Sequence, residues 1–150
     1  MVVEDEPDIY EVLLAMFEVW GIEGVAFVDG SEAIAWIDDV DAGRVQTDLP
    51  ELAILDIRLP GVPGQEIGAR LRKSPRLGHI AIVLITAYQL RPDEEEDMMA
   101  QADADLLLYK PLPEPGDFRR ILEEALARRP EVASAQESAP ANPDSSSEAS

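Results

Sequence analysis

The chain has 150 residues, a length that fits one domain with a short extension. Its 31 Asp and Glu against 12 Lys and Arg give a net charge of −19, which repels the phosphates of nucleic acids and disfavours direct binding to them. The absence of cysteine excludes disulfides and thiolate metal sites. The apolar runs are much shorter than the about 20 residues of a membrane span, and the first residues lack a signal-peptide pattern, so we expect a cytoplasmic protein without a membrane segment.

Five short apolar runs, rich in Val, Ile and Leu, alternate with five segments of helical periodicity. The predicted strands are Met1–Glu4, Val25–Val28, Leu52–Leu55, Ile80–Ile85 and Asp105–Tyr109. The predicted helices are Pro7–Trp20, Ser31–Asp38 with Ser31 as its N-cap, Gly64–Lys73, Pro92–Ala102 and Gly116–Arg129. This alternation predicts a doubly wound α/β domain with a five-stranded parallel sheet. The first strand has almost no residues before it, and we expect it to be short.

The composition changes near Pro130. Residues 130–150 contain four acidic residues, no basic residue and no aromatic residue, and they are rich in Ser, Pro and Ala. Such a segment cannot bury enough apolar surface to offset its ordering entropy. The sequence therefore predicts one folded domain over residues 1–129 and a disordered acidic tail over residues 130–150.

Polar residues stand where four of the predicted strands end: Glu4 and Asp5 after the first, Asp56 after the third, Thr86 after the fourth and Lys110 after the fifth. The carboxyl ends of parallel strands meet at one edge of a sheet, so these side chains are expected to converge there. Clustered carboxylates repel each other unless a cation joins them, and oxygen ligands without His or Cys favour Mg²⁺. This set predicts a magnesium site with a lysine.

The stretches VVEDEPDI, LAILDIRLPGVPGQE, VLITAY and LLLYKP, in that order, resemble the receiver domain of two-component response regulators over residues 1–129. The resemblance implies a flavodoxin-like fold with the strand order 2-1-3-4-5, and it implies that Asp56 is the phosphoacceptor. It also implies a Mg²⁺ ion bound by Asp5, Asp56 and the backbone carbonyl of Arg58, with Glu4 assisting through water.

Two further residues receive roles from the resemblance. Thr86 is implied to hydrogen-bond a phosphoryl oxygen, and Lys110 is implied to pair with the phosphoryl group. The peptide bond between Lys110 and Pro111 is implied to be cis, a geometry that proline makes accessible.

The resemblance implies a signalling protein that catalyses only its own phosphorylation and dephosphorylation. The implied phosphodonor is a sensor histidine kinase or a histidine phosphotransfer protein. Since the residues after Arg129 cannot form an output domain, we expect a stand-alone receiver that acts through a protein partner, as a monomer or as a dimer formed on phosphorylation. The expected partner surface combines the fourth helix, which carries the acidic run at residues 93–97, with the fifth strand and fifth helix.

Two other functions compete with this interpretation. A pseudo-receiver would keep the fold as a constitutive binding module, which the intact set of site residues argues against. A phosphatase of the haloacid-dehalogenase type would need an acid two residues after the nucleophile, where this chain has Arg58.

The chain departs from the receiver pattern at Leu107, three residues before the lysine, where an aromatic residue is usual. Tyr88 and Tyr109 are the candidates for the role of that aromatic residue.

Overall fold

The computed structural model describes residues 1–129, in which five strands alternate with five helices. The strands are β1 (Val2–Val3), β2 (Ala26–Phe27), β3 (Leu52–Asp56), β4 (Ala81–Thr86) and β5 (Leu106–Tyr109). The helices are α1 (Pro7–Val19), α2 (Gly30–Asp41), α3 (Gly64–Lys73), α4 (Pro92–Ala102) and α5 (Pro115–Ala127). The predicted tail at residues 130–150 lies outside the described residues.

The strands form one parallel sheet in the order β2-β1-β3-β4-β5, which confirms the predicted fold. Successive side chains of a strand point to opposite faces, so each strand contributes to two cores. Val3 and its register partner Leu55 pack with residues of α2, α3 and α4. Val2 and its partner Ile54 pack with residues of α1 and α5, including the fully buried Phe118. Helices thus cover both faces and leave the edge at the strand ends open for a site.

Local predictions differ from the structure at β1, β2 and both ends of α2, and α5 ends two residues before the predicted Arg129. β1 is short, as expected, but β1 and β2 have two residues each instead of the predicted four. The pairing continues beyond them through the N–H of Glu4, which donates to the carbonyl of Phe27 at 3.0 Å. The predicted N-cap Ser31 is wrong: α2 begins at Gly30, and the Asp29 carboxylate accepts the N–H of Ser31 at 2.6 Å. Asp and Ser both favour the N-cap position, and Asp29 precedes Ser31 in the chain, so the helix begins earlier than predicted.

The start of α3 lies directly against the end of β3. The N–H of Gly64 donates to the carbonyl of Ile57 at 3.1 Å, and a Cβ atom at Gly64 would overlap the backbone carbonyl of Asp56. Glycine therefore permits the close approach that holds the backbone of Asp56 in place. Among residues 1–129, no helix is both long and apolar enough to cross a membrane.

Candidate functional site

Two acidic residues directly after β1 differ in exposure. Glu4 is fully buried, whereas Asp5 is exposed. The Glu4 carboxylate accepts the backbone N–H of Glu6 through its Oε2 atom at 3.0 Å, which fixes it at the start of α1. One buried and one exposed carboxylate therefore flank the same point of the sheet edge.

β3 and β5 bring a carboxylate and an ammonium group together at this edge of the sheet. Asp56 is the last residue of β3, and its Oδ2 atom lies 3.0 Å from Nζ of Lys110, the residue that follows β5. The Asp56 side chain is 4% exposed and the Lys110 side chain 7% exposed. The backbone N–H of Arg58 donates to Oδ1 of Asp56 at 3.1 Å. The Lys110–Pro111 peptide bond is cis, as the resemblance to receiver domains implies.

The three carboxylates that the sequence predicts at the magnesium site lie close enough together to bind one ion. One oxygen from each of Glu4, Asp5 and Asp56 lies within 4.8 Å of the other two. Oε1 of Glu4 is buried without a hydrogen bond; it lies at ion-pair distance, 2.9 Å, from Nζ of Lys110, but at an angle unsuited to hydrogen bonding. A buried oxygen with unused capacity beside two other carboxylates fits a hard divalent cation such as Mg²⁺, directly or through a bound water.

Burial and charge alter two pKa values in this group. Burial raises the pKa of Glu4 to about 7, although the Glu6 N–H and the Lys110 ammonium oppose the rise and the Asp56 carboxylate adds to it. Burial by itself would lower the pKa of Lys110, but the carboxylates of Glu6, Glu4 and Asp56 outweigh that effect and raise it. Lys110 therefore stays charged, and burial brings the pKa of Glu4 close to neutral.

Glu6 contacts the lysine as well, and the sequence analysis did not identify it. Its Oε1 atom lies 2.7 Å from Nζ of Lys110, the shortest of the three distances from that ammonium to a carboxylate. Glu6 is the N-cap residue of α1, yet its side chain makes no capping hydrogen bond. The only sequence signal was an acid directly after Glu4 and Asp5, at a position that a helix start also explains.

The end of β4 supplies a hydroxyl group. Thr86 is fully buried, and its Oγ1 atom accepts the backbone N–H of Tyr88 at 3.1 Å. Its carbonyl accepts the backbone N–H of Lys110 at 2.8 Å, which ties the ends of β4 and β5 together. A hydroxyl that already accepts one hydrogen bond still has its own O–H to donate.

A small open cleft of about 170 Å³ lies at this edge of the sheet. At its mouth the guanidinium carbon of Arg58 lies 4.0 Å from the centre of the Tyr88 ring, a cation–π arrangement between two exposed side chains. The residues that line the cleft are Asp5, Glu6, Asp56, Arg58, Ala87, Tyr88 and Lys110. The cleft is thus open to solvent, with a stacked pair at its rim.

A profile described as the response regulator receiver domain matches residues 1–125. The chain belongs to this receiver family. It is 35% identical over 134 residues to the phosphate regulon transcriptional regulatory protein PhoB of Rhizobium meliloti, covering 89% of this chain and 54% of PhoB. It is 30% identical to the polar-differentiation response regulator DivK of Brucella anthropi, covering 77% of this chain and 85% of DivK. The chain therefore spans about half the length of PhoB, and the activity of that whole protein does not transfer to it.

Solved receiver structures share the fold. A CheY-like receiver domain protein from Methanospirillum hungatei superposes with a TM-score of 0.69 at 23% identity, over 87% of this chain and 94% of that one. The receiver domain of the sensor histidine kinase PA1611 from Pseudomonas aeruginosa gives a TM-score of 0.67 at 24% identity, over 84% of this chain and 94% of that one. A magnesium ion is coordinated in the active-site cleft of the PA1611 domain. At these identities the likeness establishes the fold of this receiver.

The two tyrosines near the lysine occupy different places in this receiver. Leu107 packs into the core between the sheet and α2, α3 and α4, and it carries no polar group. Tyr109 is half-buried, and its hydroxyl hydrogen-bonds the carboxylate of Glu95 on α4. Tyr88 stands at the cleft rim. Of the two candidates for the place of the missing aromatic residue, Tyr109 links β5 to α4 and Tyr88 covers the cleft.

Proposed function

We propose that this receiver accepts a phosphoryl group on Asp56 and signals through its phosphorylated state. The observation that carries the proposal is the position of the Asp56 carboxylate, which lies 3.0 Å from the Lys110 ammonium, within a group of three carboxylates and on the wall of an open cleft. A phosphoryl donor reaches Asp56 through that cleft, while the ammonium beside it offsets the added charge.

The proposed reaction is an in-line displacement at phosphorus. A carboxylate oxygen of Asp56 forms the new P–O bond while the P–N bond of a phosphohistidine breaks, and the electron pair remains on the imidazole nitrogen, which takes a proton from solvent. The Lys110 ammonium balances negative charge on the phosphoryl oxygens. The O–H of Thr86 would donate a hydrogen bond to one of those oxygens.

A Mg²⁺ ion completes the proposed site. Asp5 and Asp56 would bind it directly together with the backbone carbonyl of Arg58, and Glu4 would bind it through water. Bound there, the ion would neutralise charge on the phosphoryl group during transfer. The donor set of oxygen atoms within 4.8 Å supports this assignment, as does the buried, unbonded Oε1 of Glu4.

A sensor histidine kinase or a histidine phosphotransfer protein is the proposed donor, and the proposed output surface is formed by α4, β5 and α5. The first turn of α4 carries Asp93, Glu94 and Glu95, so a partner with a basic surface would complement it. The hydrogen bond from Tyr109 to Glu95 supports this location because it connects α4 to the residue before Lys110. A monomer and a phosphorylation-dependent dimer are both compatible with such a surface.

Incubation with acetyl phosphate and Mg²⁺, followed by intact-mass measurement, tests the proposal. We expect the wild type to gain the mass of one phosphoryl group and the Asp56→Asn variant to gain none. Asp8→Asn, which removes an exposed carboxylate in the first turn of α1, serves as the control and should label like the wild type. Full labelling of Asp56→Asn would contradict the assignment of Asp56, and an unlabelled wild type would favour a constitutive binding module.

A further inference from the structure

Lys110 is surrounded by one more carboxylate than the proposed reaction uses. Its ammonium lies 2.9 Å from Glu4, 3.0 Å from Asp56 and 2.7 Å from Glu6. The ammonium donates hydrogen bonds to Glu6 and Asp56, and Glu4 adds a third carboxylate at ion-pair distance. A phosphoryl oxygen that approaches the ammonium must therefore compete with carboxylates that already neutralise its charge.

The three carboxylates differ in how firmly they are held. The side chain of Glu4 is fully buried and that of Asp56 is 4% exposed, whereas that of Glu6 is 56% exposed. Backbone N–H groups also hold the first two, from Glu6 to Glu4 and from Arg58 to Asp56. Within the described residues, the Glu6 side chain has its contact with Lys110 and no capping hydrogen bond to α1. Glu6 can therefore turn into solvent at little cost.

We propose that Glu6 is a displaceable counter-ion of Lys110, a positioning residue that occupies the ammonium in the resting receiver and opposes the entry of a phosphoryl group. The inference rests on the proposed function of Asp56. Glu6 lines the cleft through which an anionic donor must approach, so its charge repels the donor, and its contact keeps the ammonium occupied until the phosphoryl group replaces it.

Glu6→Gln isolates this effect because it keeps the length of the side chain and removes its charge. Beryllofluoride, an anion that mimics the phosphoryl group, is titrated at saturating Mg²⁺ and followed by ¹⁹F NMR of the bound anion. We expect Glu6→Gln to bind it about three- to fivefold more tightly than the wild type, the size of one partly exposed ion pair. Glu6→Asp, whose shorter side chain keeps the charge but draws it away from Nζ, should fall between them.

Asp8→Asn is the matched control, since it also removes one carboxylate from the start of α1. We expect it to change beryllofluoride affinity less than twofold and to leave the NMR signal of the Lys110 ammonium in place, whereas Glu6→Gln shifts that signal even without metal or anion. Equal effects of the two variants, or an unshifted ammonium signal in Glu6→Gln, would overturn the role of Glu6. A wild type that binds no beryllofluoride would instead contradict the proposed function itself, so the two failures are distinguishable.

Discussion

The interior and the rim of the candidate site are built differently. The interior half consists of Glu4, Asp56 and Lys110, whose side chains are less than a tenth exposed and which are held by the ends of β1, β3 and β5. The rim consists of four exposed residues, Asp5, Glu6, Arg58 and Tyr88. The interior cannot change without leaving a buried charge unpaired, whereas the rim can change at little cost to the fold. The chemistry is therefore expected to depend on the interior and its rate on the rim.

The largest effect should come from Lys110→Met, which removes the only cation among the interior residues. Two buried carboxylates then lose their partner, so we expect the free energy of unfolding at pH 7 without metal to fall by about 3 kcal/mol. Urea denaturation measures it. Arg91→Met, which breaks exposed pairs with Asp93 and Glu94, should cost less than about 1 kcal/mol. Equal losses in the two variants would show that the interior is no more constrained than the surface.

Asp5 is the exception among the rim residues, because it is exposed and yet is proposed as a metal ligand on which the chemistry depends. We expect Asp5→Asn to weaken Mg²⁺ binding at least about tenfold, since an anionic ligand is lost. It should also stabilise the metal-free protein slightly, because Asp5 no longer repels Glu4 and Asp56. Calorimetric titration with Mg²⁺ measures the first effect and thermal unfolding in EDTA the second. An unchanged titration would remove Asp5 from the ligand set.

Glu4 gives the interior a dependence on pH. Its pKa is raised from 4.5 to about 7 in the folded protein, so between these values the folded state binds more protons than the unfolded state. The stability that Glu4 contributes is thus present at low pH and lost as the pH rises towards 7. We expect urea denaturation in EDTA at pH 5 and pH 7.5 to show a larger loss for the wild type than for Glu4→Gln. The same loss in the wild type and in Glu4→Gln would show that a group other than Glu4 causes the pH dependence.

The alternating fold and the interior half could be predicted from the sequence because both depend on local patterns. Strand runs such as Ala81–Thr86 are continuous and apolar, and parallel topology carries their polar ends to one edge whatever the details of packing. The strand ends therefore predict that Asp56 and Lys110 lie together, although they are 54 positions apart in the chain.

The rim could not be predicted in the same way. The contact from Lys110 to Glu6 joins residues 104 positions apart and depends on which way an exposed side chain turns. The sequence predicts Ser31 as the N-cap of α2, whereas the structure has Asp29, because both residue types cap helices and the sequence does not indicate which one does. Contacts that depend on the rotamer of a side chain produce no periodic pattern in the sequence.

The smallest effect concerns the lifetime of phosphorylated Asp56. The guanidinium carbon of Arg58 lies 4.0 Å from the centre of the Tyr88 ring, and both residues line the cleft. An acyl phosphate is lost when water attacks phosphorus in line, and a stacked pair over the cleft restricts that approach. We therefore expect slow dephosphorylation in the wild type.

Replacing Tyr88 with Ala removes the ring and leaves Arg58 without its support, so water gains access to the phosphoryl group. We expect the first-order decay of the phosphorylated protein, followed by intact mass after the donor is removed, to become several-fold faster, which corresponds to about 1 kcal/mol of barrier. Tyr88→Phe keeps the ring that Arg58 covers and should decay like the wild type. If Tyr88→Ala decays no faster than Tyr88→Phe, the ring does not shield the site, and its contact with Arg58 is packing alone.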